Sequence, residues 1–568
     1  MYDKKSDKDS IFVTVSDVNS ISEPSSPETG SPLLGDKPLN YYGPDAIRNY
    51  TGMLSHRLFS SLLFLAPSFY STKYSKTPVK ITPTSWLDGL RGLASFIVFI
   101  FHYSHAYYRA FMYPYDGVTE THWWQLPIIK VAYSGPVAVS TFFIISGFAL
   151  SYKTVLILKQ NSTPIERQNH KLLSNIASSM FRRFPRLYIP CIGTFFLVGI
   201  FVGMGWFEVV PQGSAGELRG VVENRPIFQG NIFAQLRWAF WDYCHFVWYQ
   251  LQAGNSIAKK YYRNESDMHL WTIPMEFRES MRLFVALIVL SRFRRWIRLT
   301  ILSFSCVVAL LYAHWGANLF LFGFLCAEIF THMPGFKDPA SVSDLPIASP
   351  STFLYSPTNE TGLTDLSDDE DEAPGMLCIC LNHLKTLGCL LLLLVGLFFG
   401  SFPHHPPHIL VNAGTTGFEV MEALTPMLYE EIFRFWTSIG SMMIFFALMF
   451  LPEVRGIFNT RIAQYLGKIS FALYLVHGSV TRSLGYAFCH WGWAVLGVTS
   501  MKAKMLKYND PADRIMFDEV ERNRALVVIA GFFVVTPVVI WLADIFWRVL
   551  DIPSVRFARW LENKLLRK

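Results

Sequence analysis

The chain has 568 residues, 51% hydrophobic and 16% charged, with a formal net charge of +7 and a mean hydropathy of +0.27. A soluble domain carries about 25% charged residues. Apolar runs of spanning length recur here, so a large soluble protein is excluded and an integral membrane protein is expected. The basic residues sit at the ends of apolar segments, where they set topology, and no nucleic-acid partner is expected.

The first 45 residues are polar and rich in Ser and Pro. They do not form a secretory leader, so residues 1–56 read as a disordered cytosolic tail, and the first span acts as the targeting signal. Residues 57–83 read as interfacial, because the apolar stretch 57–70 is too short to span and contains Pro67. The fold class that follows is all-α, a polytopic transmembrane bundle. Ten spans are expected near 93–113, 137–156, 187–205, 280–293, 299–314, 316–332, 385–402, 433–451, 465–482 and 525–547. An eleventh arises if the aromatic segment 484–498 also crosses.

Basic clusters follow the second and fourth expected spans and recur in the tail 549–568, which places both termini in the cytosol. The membrane domain then has two parts, 84–332 and 385–548, separated by a cytosolic insertion, 333–384, that carries the acidic run DLSDDEDEAP. Residues 206–279 form a non-cytosolic loop rich in aromatics, and Asn264 is the one sequon on that side. The endoplasmic reticulum, the secretory pathway or the plasma membrane is the expected location.

Candidate chemistry begins in WLDGLRGLASFIVFIFHYSH, Trp86 to His105. On a helix, Arg91 and His102 lie about 20° apart, and His102 sits about 16 Å deeper. Asp88, Ser95 and His105 fall near the same line. Ionisable groups inside a span are costly and mark function. The plain alternative is an arginine that reaches the headgroups and a histidine that satisfies a carbonyl. FRRFPRLYIP places Arg183 and Arg186 on one face beside Arg182. Such a pair suits a phosphate, and it equally suits a topology anchor, the better reading for Arg182.

TFFIISGFALS holds Ser146 and Gly147, read as a close helix packing point. HLWTIPMEF places Glu276 at the outer end of the fourth span, after Pro274, where it orients a histidine, binds a hydroxyl or simply faces the lumen. YLGKISFALYLVH adds Lys468, Ser470, Tyr474 and His477, the last either lining a cavity or lying at the interface. No metal site is expected, since PHHPPH, ending at His408, lies in a proline-rich turn. Cys378 and Cys380 are weak acylation candidates, and a Cys244–Cys489 bridge is left open. Walker, GxSxG and HExxH motifs are absent.

In this order and spacing, WLDGLRGLASFIVFIFHYSH, FFIISGFALS, FRRFPRLYIP, LWTIPMEFRESM and YLGKISFALYLVH resemble the acyltransferase 3 family of integral-membrane acyltransferases, and fungal members in particular. The resemblance covers about residues 84–548. It implies O-acylation from cytosolic acyl-CoA, with acetyl as the expected acyl group, onto a hydroxyl of a carbohydrate, lipid or secondary metabolite. It maps the family's basic-residue-plus-His pair onto Arg91 and His102 and its R-x-x-R onto Arg183 and Arg186. Many bacterial members have two carboxylates where this chain has Glu276-Phe277, so the role of Glu276 stays open. The expected site is therefore His102 as general base, with His105 or Glu276 as helper, and Arg91, Arg183 and Arg186 on the donor. The alternative is a proton-coupled permease for an anionic or small organic solute.

Overall fold

The computed structural model describes residues 65–70, 82–108, 111–115, 117, 121–160, 164–208, 226–252, 266–333, 376–404, 417–498 and 511–566. The tail 1–56, most of 57–83, the acidic run, all four sequons and the side chains of Cys378 and Cys380 lie outside them.

All regular structure among the described residues is helical. In chain order the main helices are α1 (Ser85–Tyr107), α2 (Gly135–Lys159), α3 (Ile165–Gly203), α4 (Ile232–Gln252), α5 (Thr272–Leu290), α6 (Arg295–Leu311) and α7 (Trp315–Phe330). They continue as α8 (Met376–Gly400), α9 (Ile432–Phe450), α10 (Arg461–Val480), α11 (Tyr486–Val495), α12 (Pro511–Phe546) and α13 (Ile552–Leu565). Each of the ten expected segments falls on one of these helices.

Among the described residues, five helices are long and apolar enough to cross a membrane: α2, α3, α9, His383–Gly400 of α8, and the run Val520–Leu565. Helices α1 and α10 are not among the five. Both pack in the core, and the polar side chains they carry lower their hydropathy.

Three further segments hold helices that hydropathy did not define. The segment 206–279 is not simply a loop, because it contains α4. This helix runs antiparallel to α3, with Phe246 against Phe195 at 5.4 Å between ring centroids and the Tyr243 hydroxyl donating to the Tyr188 carbonyl at 3.2 Å. Arg237 and Asp242 interrupt its apolar pattern and hid it. The segment 484–498 continues α10: a π turn, Thr481–Gly485, joins α10 to α11 with helical backbone throughout. The tail 549–568 is largely helical. Within it α13 packs on α3, and Arg182 pairs with Glu562 at 3.3 Å. Of the segment expected to be interfacial, Ser68 is held in the protein by the Asp544 carboxylate, which accepts from its hydroxyl at 2.6 Å and its backbone N–H at 3.0 Å. Cys244 and Cys489 are free thiols.

The contact that positions the site is the crossing of α1 and α10. A Cβ on Gly92 would overlap the backbone of Leu466 and Gly467, and one on Gly467 would overlap the Asp88 carbonyl. The helices therefore meet backbone to backbone, as small residues allow in a bilayer. Just above, Arg91 crosses the seam. Its Nε donates to the Ser470 hydroxyl at 2.9 Å and its Nη2 to the Gly467 carbonyl at 2.8 Å. Gly467→Val should separate the helices at a cost of about 1–3 kcal/mol. Thermal unfolding of the detergent-solubilised protein checks this, the expected result being a lower Tm.

Candidate active site

Two polar clusters lie along α1, and each takes side chains from other helices. The first surrounds Arg91. Arg91 is paired with Asp88 one helical turn back, at 3.0 Å. From α3, Arg183 donates to Glu276 Oε1 at 2.7 Å and to the Ser280 hydroxyl at 3.0 Å, both on α5. Ser146 on α2 donates to the same Glu276 oxygen at 2.9 Å. Arg186, one turn along from Arg183, lies within electrostatic range of Arg183, Asp551, Arg91 and Glu276. Asp551 comes from a second π turn, Trp547–Asp551. The three sequence-predicted arginines are thus brought together, and acids on three separate elements balance them. Arg91 and Arg183 are buried and Arg186 is half-buried.

Glu276 is not where the sequence put it. It does not sit at an outer lip beside a histidine but at the level of Arg183, as that arginine's partner. The reason is the start of α5. Asp267 accepts from the His269 backbone N–H at 3.0 Å and caps a 3-10 turn, Met268–Trp271, which leads directly into the helix. Pro274 falls in the first turn, where its missing N–H costs nothing. Glu276 is seven residues past His269, about 10 Å further along the helix.

The second cluster surrounds His102. Its ring lies 4.0 Å from that of His269 and 5.3 Å from that of His477, with 4.9 Å between those two. His102 is half-buried, and His269 and His477 are buried. His269 Nδ1 faces Asp267 Oδ1 at 2.5 Å. A carboxylate only accepts, so Nδ1 carries the proton and the neutral ring keeps its lone pair on Nε2. The same logic fixes His477, whose Nδ1 donates to the Tyr474 carbonyl at 2.7 Å. Arg482, in the π turn after α10, donates to the Ser266 carbonyl at 2.6 Å and approaches Asp267 to 3.8 Å. Asp267 lies outside the spanning helices. Burial would raise its carboxyl, but His269 and Arg482 hold it well below the usual carboxylate range. Gly478 makes the room: a Cβ there would overlap His269 Nδ1 and approach Asp267 Oδ2 at 3.0 Å.

His105 does not join this cluster. Its Nδ1 faces the Phe101 carbonyl at 2.9 Å and its ring packs on Phe101 at 4.1 Å. Residue 105 lies about 60° from residue 102 around the helix, since three steps of about 100° fall short of a full turn. Sequence reasoning missed His269 and Asp267, although His269 opens a quoted motif. An Asp two residues before a His at a helix start was the available signal. Beside His269, Trp271 forms part of a box with Trp315 and Phe433 around the buried Arg434 guanidinium, at 4.9, 4.8 and 4.7 Å.

A histidine cluster and an arginine cluster thus lie along one helix of a multi-helix apolar bundle. Residues 84–548 match the acyltransferase 3 family, described as an acyltransferase domain, and the chain belongs to that family. It is 26% identical over 533 residues to the O-acetyltransferase PaAT-1 of Phomopsis amygdali, covering 90% of each chain. It is 25% identical over 456 residues to the acyltransferase clz18 of Cochliobolus lunatus, covering 74% of this chain and 87% of that one. No solved structure matches.

The chain is therefore an acyltransferase. Removing one half or both halves of the Arg183–Glu276 pair separates stability from activity. Glu276→Ala leaves a buried, uncompensated arginine and should destabilise by about 3–5 kcal/mol. The double variant Arg183→Leu/Glu276→Leu should recover most of that stability in thermal unfolding while transferase activity stays low.

Proposed function

We propose that this protein is a membrane-embedded O-acyltransferase that moves an acyl group, acetyl by preference, from cytosolic acyl-CoA to a hydroxyl of a carbohydrate, lipid or secondary metabolite. The observation that carries the proposal is half-buried His102, set against the Asp267–His269 pair and His477 on the same helix as the arginine cluster. Rise along α1 separates Arg91 from His102 by about 16 Å, which gives the donor's anionic and reacting ends different places to dock.

The donor phosphates bind at the arginines. Arg91 and Arg183 are buried and set the local positive potential, while half-buried Arg186, the most exposed of the three, makes the direct contact. The thioester reaches toward His102. His102 takes the proton of the acceptor hydroxyl as its oxygen attacks the thioester carbonyl. The new C–O bond forms, the C–S bond breaks, and the departing CoA thiolate takes that proton from His102. Through its contact with His102, the Asp267–His269 pair offsets the positive charge His102 carries between these steps. It acts as a positioning pair, and His477 completes the wall. The topology that suits this has both termini and the arginine cluster on the cytosolic side. We assign the acceptor to the side of the aromatic box around Arg434, and Glu276 and His105 to structural support.

His102→Ala should lower acyl transfer by about 100-fold or more with unchanged expression and Tm. Full activity in this variant would falsify the assignment. Arg186→Ala should raise KM for acyl-CoA with a smaller effect on kcat, whereas Asp267→Asn should lower kcat with little change in that KM. Steady-state rates of CoA release by purified protein check both.

A further inference from the structure

His102, the proposed base, and its neighbours His269 and His477 have a second chemical property. One ligand atom from each of His102, His269 and His477 lies within 4.8 Å of the other two. Two of the rings are already held as metal-bound histidines are held. His269 gives its Nδ1 proton to Asp267, and His477 gives its own to the Tyr474 carbonyl. A carboxylate or carbonyl behind the ring fixes the tautomer and raises the ligand's basicity. Both rings then present Nε2. Three protein nitrogens with a fourth position open is the donor set of a zinc centre that also admits a small ligand. Half-buried His102 is the most exposed of the three.

The donors choose the ion. Three imidazoles suit zinc, copper or nickel, whereas magnesium and calcium need oxygen. A tetrahedral ion with bonds of about 2.0–2.1 Å needs its nitrogens roughly 3.4 Å apart. A modest closing of the rings supplies that distance. Charge is partly compensated, since Asp267 lies directly behind His269, and Arg482 at 3.8 Å from Asp267 works against it. Gly478 leaves the space in which the Asp267–His269 pair sits.

We propose that His102, His269 and His477 bind one first-row divalent transition metal ion, with zinc as the probe, and that the bound ion inhibits acyl transfer. A lone pair given to a metal cannot accept a hydroxyl proton. The binding stands on geometry alone, and the inhibition rests on the acyl-transfer reading above.

The test uses the full chain, purified in detergent, stripped with EDTA and re-equilibrated with zinc or cobalt(II). One zinc per chain is expected by elemental analysis, with visible cobalt bands of a four-coordinate, nitrogen-rich site in the unmutated protein. His102→Ala, His269→Ala and His477→Ala should each lose the ion, His122→Ala should keep it, and Asp267→Asn should weaken affinity about 10–100-fold. The stripped protein should release CoA faster than the zinc-loaded one, and EDTA should restore the loaded protein. Binding is overturned if the unmutated protein keeps no zinc and shows no cobalt bands, or if the three histidine variants keep as much zinc as His122→Ala. Inhibition is overturned if the zinc-loaded protein turns over as fast as the stripped protein. Zinc binding with no transfer in either form would instead count against the acyl-transfer reading and would remove the inhibition with it.

Discussion

The close crossing of α1 and α10 is the constraint on which the rest depends. Two glycines remove the side chains that would hold the helices apart. Because the helices run in the same direction from that point, residues at matched heights face one another. Arg91 meets Ser470 and Gly467 near the crossing. Further along, His102 meets His477, and the Tyr107 hydroxyl reaches the Thr481 carbonyl. A wider crossing would keep every residue and lose every one of these contacts.

Burying ionisable groups in an apolar bundle is costly unless each is matched. This chain matches them locally. Arg91 has Asp88, Arg183 has Glu276, and Asp267 has His269 and Arg482. The pairing also limits what each group can do. A guanidinium that already donates to a carboxylate and a hydroxyl contributes a field more than a docking point. Burial separates Arg91 and Arg183 from the more exposed Arg186, although sequence spacing makes the three look alike.

Much of the fold was legible, because hydropathy and length place helices well and each expected span coincides with one. The polar stripe of α1 was legible for the same reason, since helical periodicity is local information. What was not legible was tertiary or masked by charge. Arg237 and Asp242 disguised α4 as loop. Glu276 was placed at the outer end of the fourth span, when the capped turn at Asp267 leads into a helix that brings Glu276 to Arg183. His269 and His477 acquire meaning only when α5 and α10 bring them to His102, and no spacing rule within one segment reports that. His105 was the converse case, close to His102 in sequence but turned onto Phe101.

The π turn Trp547–Asp551 has a consequence for biosynthesis. Asp551 is the acid that α12 delivers to Arg186 and Arg91, and it follows Arg91 by about 460 residues of chain. A ribosome adds about 5–20 residues each second, so α1 and α3 wait tens of seconds for it. During that interval two arginines of the half-made bundle lack one of their counter-charges. The nascent protein must carry that imbalance through water, lipid headgroups or an assisting factor, and the arginine cluster is completed only as synthesis nears its finish.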